Sequence, residues 1–153
     1  MRFSRAFTMV EMVFVIVVLG ILAAIAVPRM AATRTDAELT KGRADIASVR
    51  SGIVSERQGR IIVGCSSYAP NGTGTYTCNG NTYKQMDSGG LFGGVLMYPV
   101  ANESGKNGKW SATAGSGTYV FRANNVNTTF TYTPANGTFT CTAGSGNCDI
   151  LTN

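Results

Sequence analysis

The feature that most limits what this chain can become is an apolar run from Phe7 to Val27 in which Glu11 is the only charge. At 1.5 Å per residue such a run makes a helix of about 31 Å, close to the ~30 Å hydrocarbon thickness of a bilayer. Arg2 and Arg5 precede it without an acid among the first six residues. That bias puts the N-terminus on the cytoplasmic side of a single span and the remainder outside the cytoplasm. A removable secretory signal is the competing reading, because Ala24-Ile25-Ala26 forms an A-x-A site after the apolar run. Glu11 speaks against it, since a disposable signal has no use for a carboxylate inside its apolar stretch.

Beyond the span, from Arg29 to about Arg60, the pattern becomes that of an amphipathic helix. Leu39, Gly42, Ile46, Val49 and Ile53 step by three and four, the spacing of a heptad seam. The seam is too short for a dedicated coiled coil and is expected to pack on a sheet of the same chain. Arg34, Asp36, Glu38, Lys41, Arg43, Asp45, Arg50 and Glu56 lie between the seam positions, and a solvated outer face is the expectation for them. Pro28 separates the two halves and is expected to bend or locally open a continuous helix rather than end it.

From Ile61 the composition shifts, with 15 of the 19 glycines and many Thr, Asn and Ser. Tyr119-Phe121, Phe130-Tyr132 and Phe139-Cys141 alternate with period two, which predicts half-buried antiparallel strands. Asn136-Gly137 is expected to join the last two as a type I′ hairpin, with Pro134 ending the strand before it. Residues 64–117 read as loop-rich, with Asn-Gly pairs at Asn71, Asn79 and Asn107. Gly89-Gly90 and Gly93-Gly94 lack the Lys-Ser/Thr and the strand-to-helix context of a phosphate-cradling loop.

The chemistry open to the chain is narrow. It has no histidine, which excludes Ser-His-Asp and Cys-His centres and His-ligated zinc or haem. Of the net charge of +5, little lies in the C-terminal part: from residue 61 onward Lys84, Lys106, Lys109 and Arg122 face Asp87, Glu103 and Asp149. No cluster of basic and aromatic residues for nucleic acid stands there. An enzyme would have to rest on those three scattered carboxylates, so none is expected. All four cysteines follow residue 61, an even count in an exported domain poor in aliphatics, which is a disulfide pattern. Of three possible pairings, the local one, Cys65–Cys78 with Cys141–Cys148, is favoured; the entropic model gives about 3 kcal/mol for a loop of the first size. Zinc is the lesser alternative, without a C-x-x-C pair or a histidine.

The run Ala6-Phe7-Thr8-Met9-Val10-Glu11, followed directly by the apolar helix, resembles the N-terminal signature of type IV pilins and type II secretion pseudopilins. The resemblance implies a leader of residues 1–6 cut between Ala6 and Phe7 by a prepilin peptidase, and N-methylation of Phe7. It implies an assembly role for Glu11, the fifth mature residue, and helix-loosening roles for Gly20 and Pro28. Ala6 departs from the usual Gly before the cut, a tolerated variant. The specific signature covers residues 1–30. The amphipathic helix, the Gly/Thr-rich region and a Cys141–Cys148 loop agree with the family plan more weakly.

The expected architecture is therefore α+β: leader 1–6, membrane or filament-core helix 7–28, amphipathic helix 29–60, and an extracytoplasmic disulfide-containing β domain 61–153. The long helix would pack on an antiparallel sheet in a pilin-like roll. The expected function is a structural subunit of a pilus or pseudopilus in a type II secretion or DNA-uptake apparatus. Its partners would be its own copies, other pilins or pseudopilins, the processing peptidase, an inner-membrane assembly platform and, before assembly, lipid. The alternatives are a fibre-forming type IV pilin for adhesion, motility or DNA uptake and, from another class, an exported disulfide-stabilised binding protein released after Ala26. No cofactor is expected; some pseudopilins bind calcium, but no ligand set here matches theirs.

Overall fold

The apolar run has one economical way to satisfy its backbone away from water, which is to close every hydrogen bond within itself. The computed structural model describes residues 7–152, of which 27, 28, 31 and 32 are described by their backbone alone. Helix α1, Met9–Ile61, takes up the apolar and the amphipathic segments together and remains helical at Gly20 and Pro28. Two units divide within it, Met1–Asp36 and Ala37–Asn153. The leader expected at 1–6, with Ala6 at its end, lies outside the described residues.

In the second unit six strands follow: β1 (Thr75–Cys78), β2 (Asn81–Lys84), β3 (Lys109–Ala112), β4 (Thr118–Ala123), β5 (Val126–Thr133) and β6 (Thr138–Cys141). A five-residue helix, α2 (Cys148–Thr152), ends the described chain. β1 and β2 form a separate antiparallel hairpin, while β3-β4-β5-β6 make an antiparallel sheet in chain order. The layout is α+β, with the antiparallel sheets in the C-terminal part.

Turn chemistry explains the connections. Cys78↔Asn81 closes β1–β2 around Asn79 (φ 49°) and Gly80 (φ 78°), and Ala123↔Val126 closes β4–β5 around Asn124 (φ 48°) and Asn125 (φ 60°). Both are two-residue turns with positive φ at each position, the type I′ geometry that matches strand twist. The loop-rich reading of 64–117 therefore missed β1, β2 and β3. The β5–β6 turn also departs from expectation. Thr133↔Thr138 closes a four-residue loop in which only Gly137 is left-handed, its N–H reaching Thr133 O at 2.9 Å. Pro134 causes the difference: it has no N–H for the ladder, and its fixed φ suits the second position of a type I turn.

The expected period-two pairs supply the inner face of the large sheet. Trp110↔Phe121, Tyr119↔Phe130 and Tyr132↔Phe139 are register partners, and all six side chains are buried. Against them lie Ile46, Val49 and Ile53 of α1, so the seam does pack on the sheet of its own chain. Burial of each such side chain contributes roughly 1.5–3 kcal/mol. Phe92, from the segment read as loop, stands in the middle of this cluster. Its ring stacks on Tyr119 at 4.4 Å and meets Trp110 and Phe139 edge-on at 5.7 and 5.5 Å. Its φ of 62° is costly for an aromatic residue. The Asp87 carboxylate holds it there, accepting the Phe92 N–H at 3.2 Å.

Arg34, Asp36, Lys41, Arg43 and Arg50 are exposed, in keeping with the solvated-face expectation, and several charges flanking the seam also reach the β unit. Lys41 Nζ donates to Gly108 O at 2.6 Å, Arg43 Nε to Ile150 O at 2.7 Å, Arg50 Nε to Phe139 O at 3.1 Å and Arg57 Nε to Ser66 O at 3.1 Å. Asp45 accepts the Trp110 indole N–H at 2.9 Å, and Glu38 accepts the Asn124 N–H at 2.9 Å. The reason is geometric. A helix lying on a sheet brings the side chains beside its buried seam within reach of turn and edge carbonyls, which need donors. Two disulfides complete the unit, Cys65–Cys78 after the end of α1 and Cys141–Cys148 between β6 and α2.

Glycine spacing in α1 yields a paired test. A Cβ at Gly42 would stand 2.5 Å from the Phe121 ring and 2.9 Å from Leu151, whereas one at Gly59 meets nothing within 4 Å. Gly42→Ala should destabilise by about 1–3 kcal/mol through overpacking, despite the better helix propensity of Ala. Gly59→Ala should stabilise by up to about 1 kcal/mol. Thermal unfolding of the two variants, moving in opposite directions, checks the packing of α1 on β4.

Candidate functional site

The N-terminal end of α1 carries the residues that the sequence singled out. Thr8 precedes the first helical residue, and the first i→i−4 bond runs from Met12 N to Thr8 O at 3.3 Å. The Thr8 hydroxyl accepts the Glu11 N–H at 3.3 Å, while Glu11 Oε2 accepts the Thr8 N–H and hydroxyl, both at 3.2 Å. This is a reciprocal capping box: each side chain satisfies a backbone donor that the first turn of a helix leaves unpaired. A carboxylate there also lies favourably at the positive end of the helix dipole. Within the described chain the partner of Glu11 is Thr8, and Thr8-Met9-Val10-Glu11 spells the capping-box pattern.

After the cap comes Met9–Ala26, an 18-residue window of mean hydropathy 2.8 with none of it buried. Phe7, at 74% exposed, is likewise uncovered. Gly20 has open space about its Cα, so the helix surface there is a shallow notch in a field of Val, Ile and Leu. An apolar cylinder with an acid at one end can insert in a bilayer or stack with its like.

The other carboxylates have their own partners and do not make a site. Asp87 is buried and accepts Tyr119 Oη–H at 2.9 Å, the Phe92 N–H and the Gly115 N–H at 2.9 Å. Burial, with this carboxylate beside it, raises the Tyr119 hydroxyl above its ordinary value. Glu103 accepts Lys106 Nζ at 2.7 Å and Lys109 Nζ at 2.6 Å, and these hydrogen bonds hold its carboxyl down at about 2. Asp149 is exposed in the first turn of α2. Glu56 pairs with Arg60, whose guanidinium is buried over the rings of Tyr76 and Tyr83. Burial nevertheless raises the Glu56 carboxyl. Among the described residues no three Cys, Asp or Glu side chains gather as a metal cluster.

A capped, acid-bearing apolar helix preceding a disulfide-closed antiparallel unit in the chain fits a membrane-anchored, exported protein. Residues 1–27 match the family model of the prokaryotic N-terminal methylation motif. No curated protein and no solved structure matches the chain. The matched motif, confined to residues 1–27, supports a type IV pilin or pseudopilin signature at the N-terminal end of this chain. It implies processing by a prepilin peptidase and pilus assembly.

The capping box survives a cut between Ala6 and Phe7, because Thr8 keeps its N–H and hydroxyl. Thr8→Val should cost the helix start about 1 kcal/mol. In micelles, amide exchange at Glu11 should therefore quicken by roughly fivefold while amides past Gly20 are unchanged. Unchanged exchange at Glu11 would contradict the capping role.

Proposed function

We propose that the chain is a non-enzymatic structural subunit, cut between Ala6 and Phe7, N-methylated at Phe7 and assembled into a pilus or pseudopilus of a type II secretion or DNA-uptake apparatus. The observation that carries the reading is the matched motif on a helix whose apolar window has no cover among the described residues. Cutting ahead of Phe7 leaves that helix in the membrane, the reverse of ordinary signal removal. Subunits then wait in the bilayer with the second unit outside the cytoplasm. In lipid the apolar helices attract one another only modestly, but stacked in an aqueous filament they remove a large apolar area from water.

Glu11 gives the stacking its register in this reading. The amine of Phe7 on a neighbouring subunit approaches the carboxylate as helices stack. A slip of one turn would leave both charges unpaired, at a cost of several kcal/mol. Gly20 and Pro28 let the segment between them loosen during assembly, since Gly weakens a helix by about 1 kcal/mol and Pro by about 3.

Intact-mass analysis of the membrane-extracted protein tests the processing step. The expected mass lacks residues 1–6 and carries one added methyl group. A chain lacking residues 1–26 would instead make this an ordinary secreted protein.

A further inference from the structure

Arg43, Arg50 and Arg57 stand at heptad spacing on α1 and share one arrangement. Each donates Nε to a backbone carbonyl of the β domain, of Ile150, Phe139 and Ser66 respectively. That bond fixes the guanidinium, and among the described residues no hydrogen bond engages its two terminal nitrogens. Arg43 and Arg50 are exposed and Arg57 is half-buried. Among the described residues none of the three has a carboxylate within ion-pair distance. Between α1 and β6 runs a groove of about 360 Å³ lined by Arg50, Val54, Gly137, Thr138, Phe139 and Thr140. Arg50 thus borders a shallow, partly apolar channel that Thr138 and Thr140 also line, and Arg43 and Arg57 stand one heptad before and after it on α1.

The charge balance of the unit says what this column does not bind. Of the six carboxylates from Ala37 to Thr152, Glu38, Asp45, Glu56, Asp87 and Glu103 are already engaged. Only Asp149 remains, so the same unit of a second copy has no acidic face to offer. The complementary charge has to come from another molecule.

Spacing selects among polyanions. Seven residues of α-helix rise about 10.5 Å, so the guanidinium groups recur at about that interval over some 21 Å. A nucleic-acid strand carries a charge every ~3.4 Å of duplex axis, three times too dense for this column. Single strands also need open aromatic faces for base stacking. Tyr68, the aromatic ring beside the column, has Arg57 over it at 4.5 Å and Gly137 pressed so near that a Cβ there would overlap it. A polysaccharide with one acidic group per disaccharide has a repeat close to the arginine interval. Its apolar sugar faces suit the exposed Val54, and its hydroxyls suit Thr138 and Thr140.

We propose that the Arg43–Arg50–Arg57 column and the adjoining α1–β6 groove bind an acidic polysaccharide bearing about one carboxylate or sulfate per disaccharide. The inference goes beyond the filament reading and does not depend on assembly. Within a filament the site would repeat on every subunit, and weak single contacts would add as avidity.

Fluorescence anisotropy with labelled hyaluronan, which has one carboxylate per disaccharide, tests the proposal on the full chain in detergent micelles. Neutral dextran and a short DNA duplex serve as comparisons. The expected result is binding of hyaluronan alone, weakening steeply between about 50 and 200 mM salt. Arg43→Gln, Arg50→Gln and Arg57→Gln together should weaken it by about tenfold or more, through loss of three charge-assisted contacts. Should the triple variant melt early, Arg50→Gln alone should still weaken binding by roughly threefold. Hyaluronan that does not bind, binds independently of salt, or binds the folded variants as it binds the parent overturns the proposal. Tighter binding of the duplex, lost in the same variants, overturns it in favour of nucleic acid.

Discussion

An apolar helix surface that no described residue of its own chain covers must be covered by something else. For Met9–Ala26 this constraint governs the rest of the molecule. In the function proposed here, lipid satisfies it first and like helices satisfy it afterwards. The capping box on Thr8 and Glu11 has a place in that succession. A carboxylate in a membrane helix is costly unless it has partners, even near the interface. The Thr8 N–H and hydroxyl supply partners before any neighbour arrives, so Glu11 is held at the helix start in a defined orientation.

The second unit meets a different difficulty, which is to build a core from a Gly- and Thr-rich sequence with few large aliphatics. Aromatic rings do most of this work: Phe92, Trp110, Tyr119, Phe121, Phe130 and Phe139 interlock over Ile46, Val49 and Ile53. The close approach of α1 at Gly42 allows Phe121 to reach that seam. The rest is polar fastening. Asp87 ties three segments together, and the side chains beside the seam of α1 seek carbonyls and N–H groups on turns and edges. Two disulfides shorten the loops that would otherwise add the most disorder to the unfolded chain.

How much of this was legible depended on whether the signal was local. The apolar span, the heptad seam and the three alternating aromatic pairs are periodic and could be read directly. The Asn79-Gly80 turn carried a hairpin signature but was flanked by short strands with little alternation, so β1 and β2 read as loop. Phe92 left no trace, because a left-handed aromatic stabilised by a carboxylate five residues away has no periodicity. The arginine column was visible as charge but not as a device. Its acceptors are backbone carbonyls, which every residue has, and only the fold says which of them lie near. Thr8 is a different case: a threonine three residues before a glutamate, ahead of an apolar run, is itself a local capping signal in the sequence.

The central claim is that the charge of Glu11, and not merely its place in the cap, sets the stacking of subunits. Glutamine at the third helical position completes a capping box as glutamate does, but it has no charge to offer a neighbour's amine. Electron microscopy of sheared filaments from cells in which Glu11→Gln is the sole form of this subunit separates the two roles. The account predicts a protein that is cut before Phe7 and retained in the membrane but absent from filaments. Filaments of normal abundance and rise, built from the cleaved Glu11→Gln chain, would contradict it.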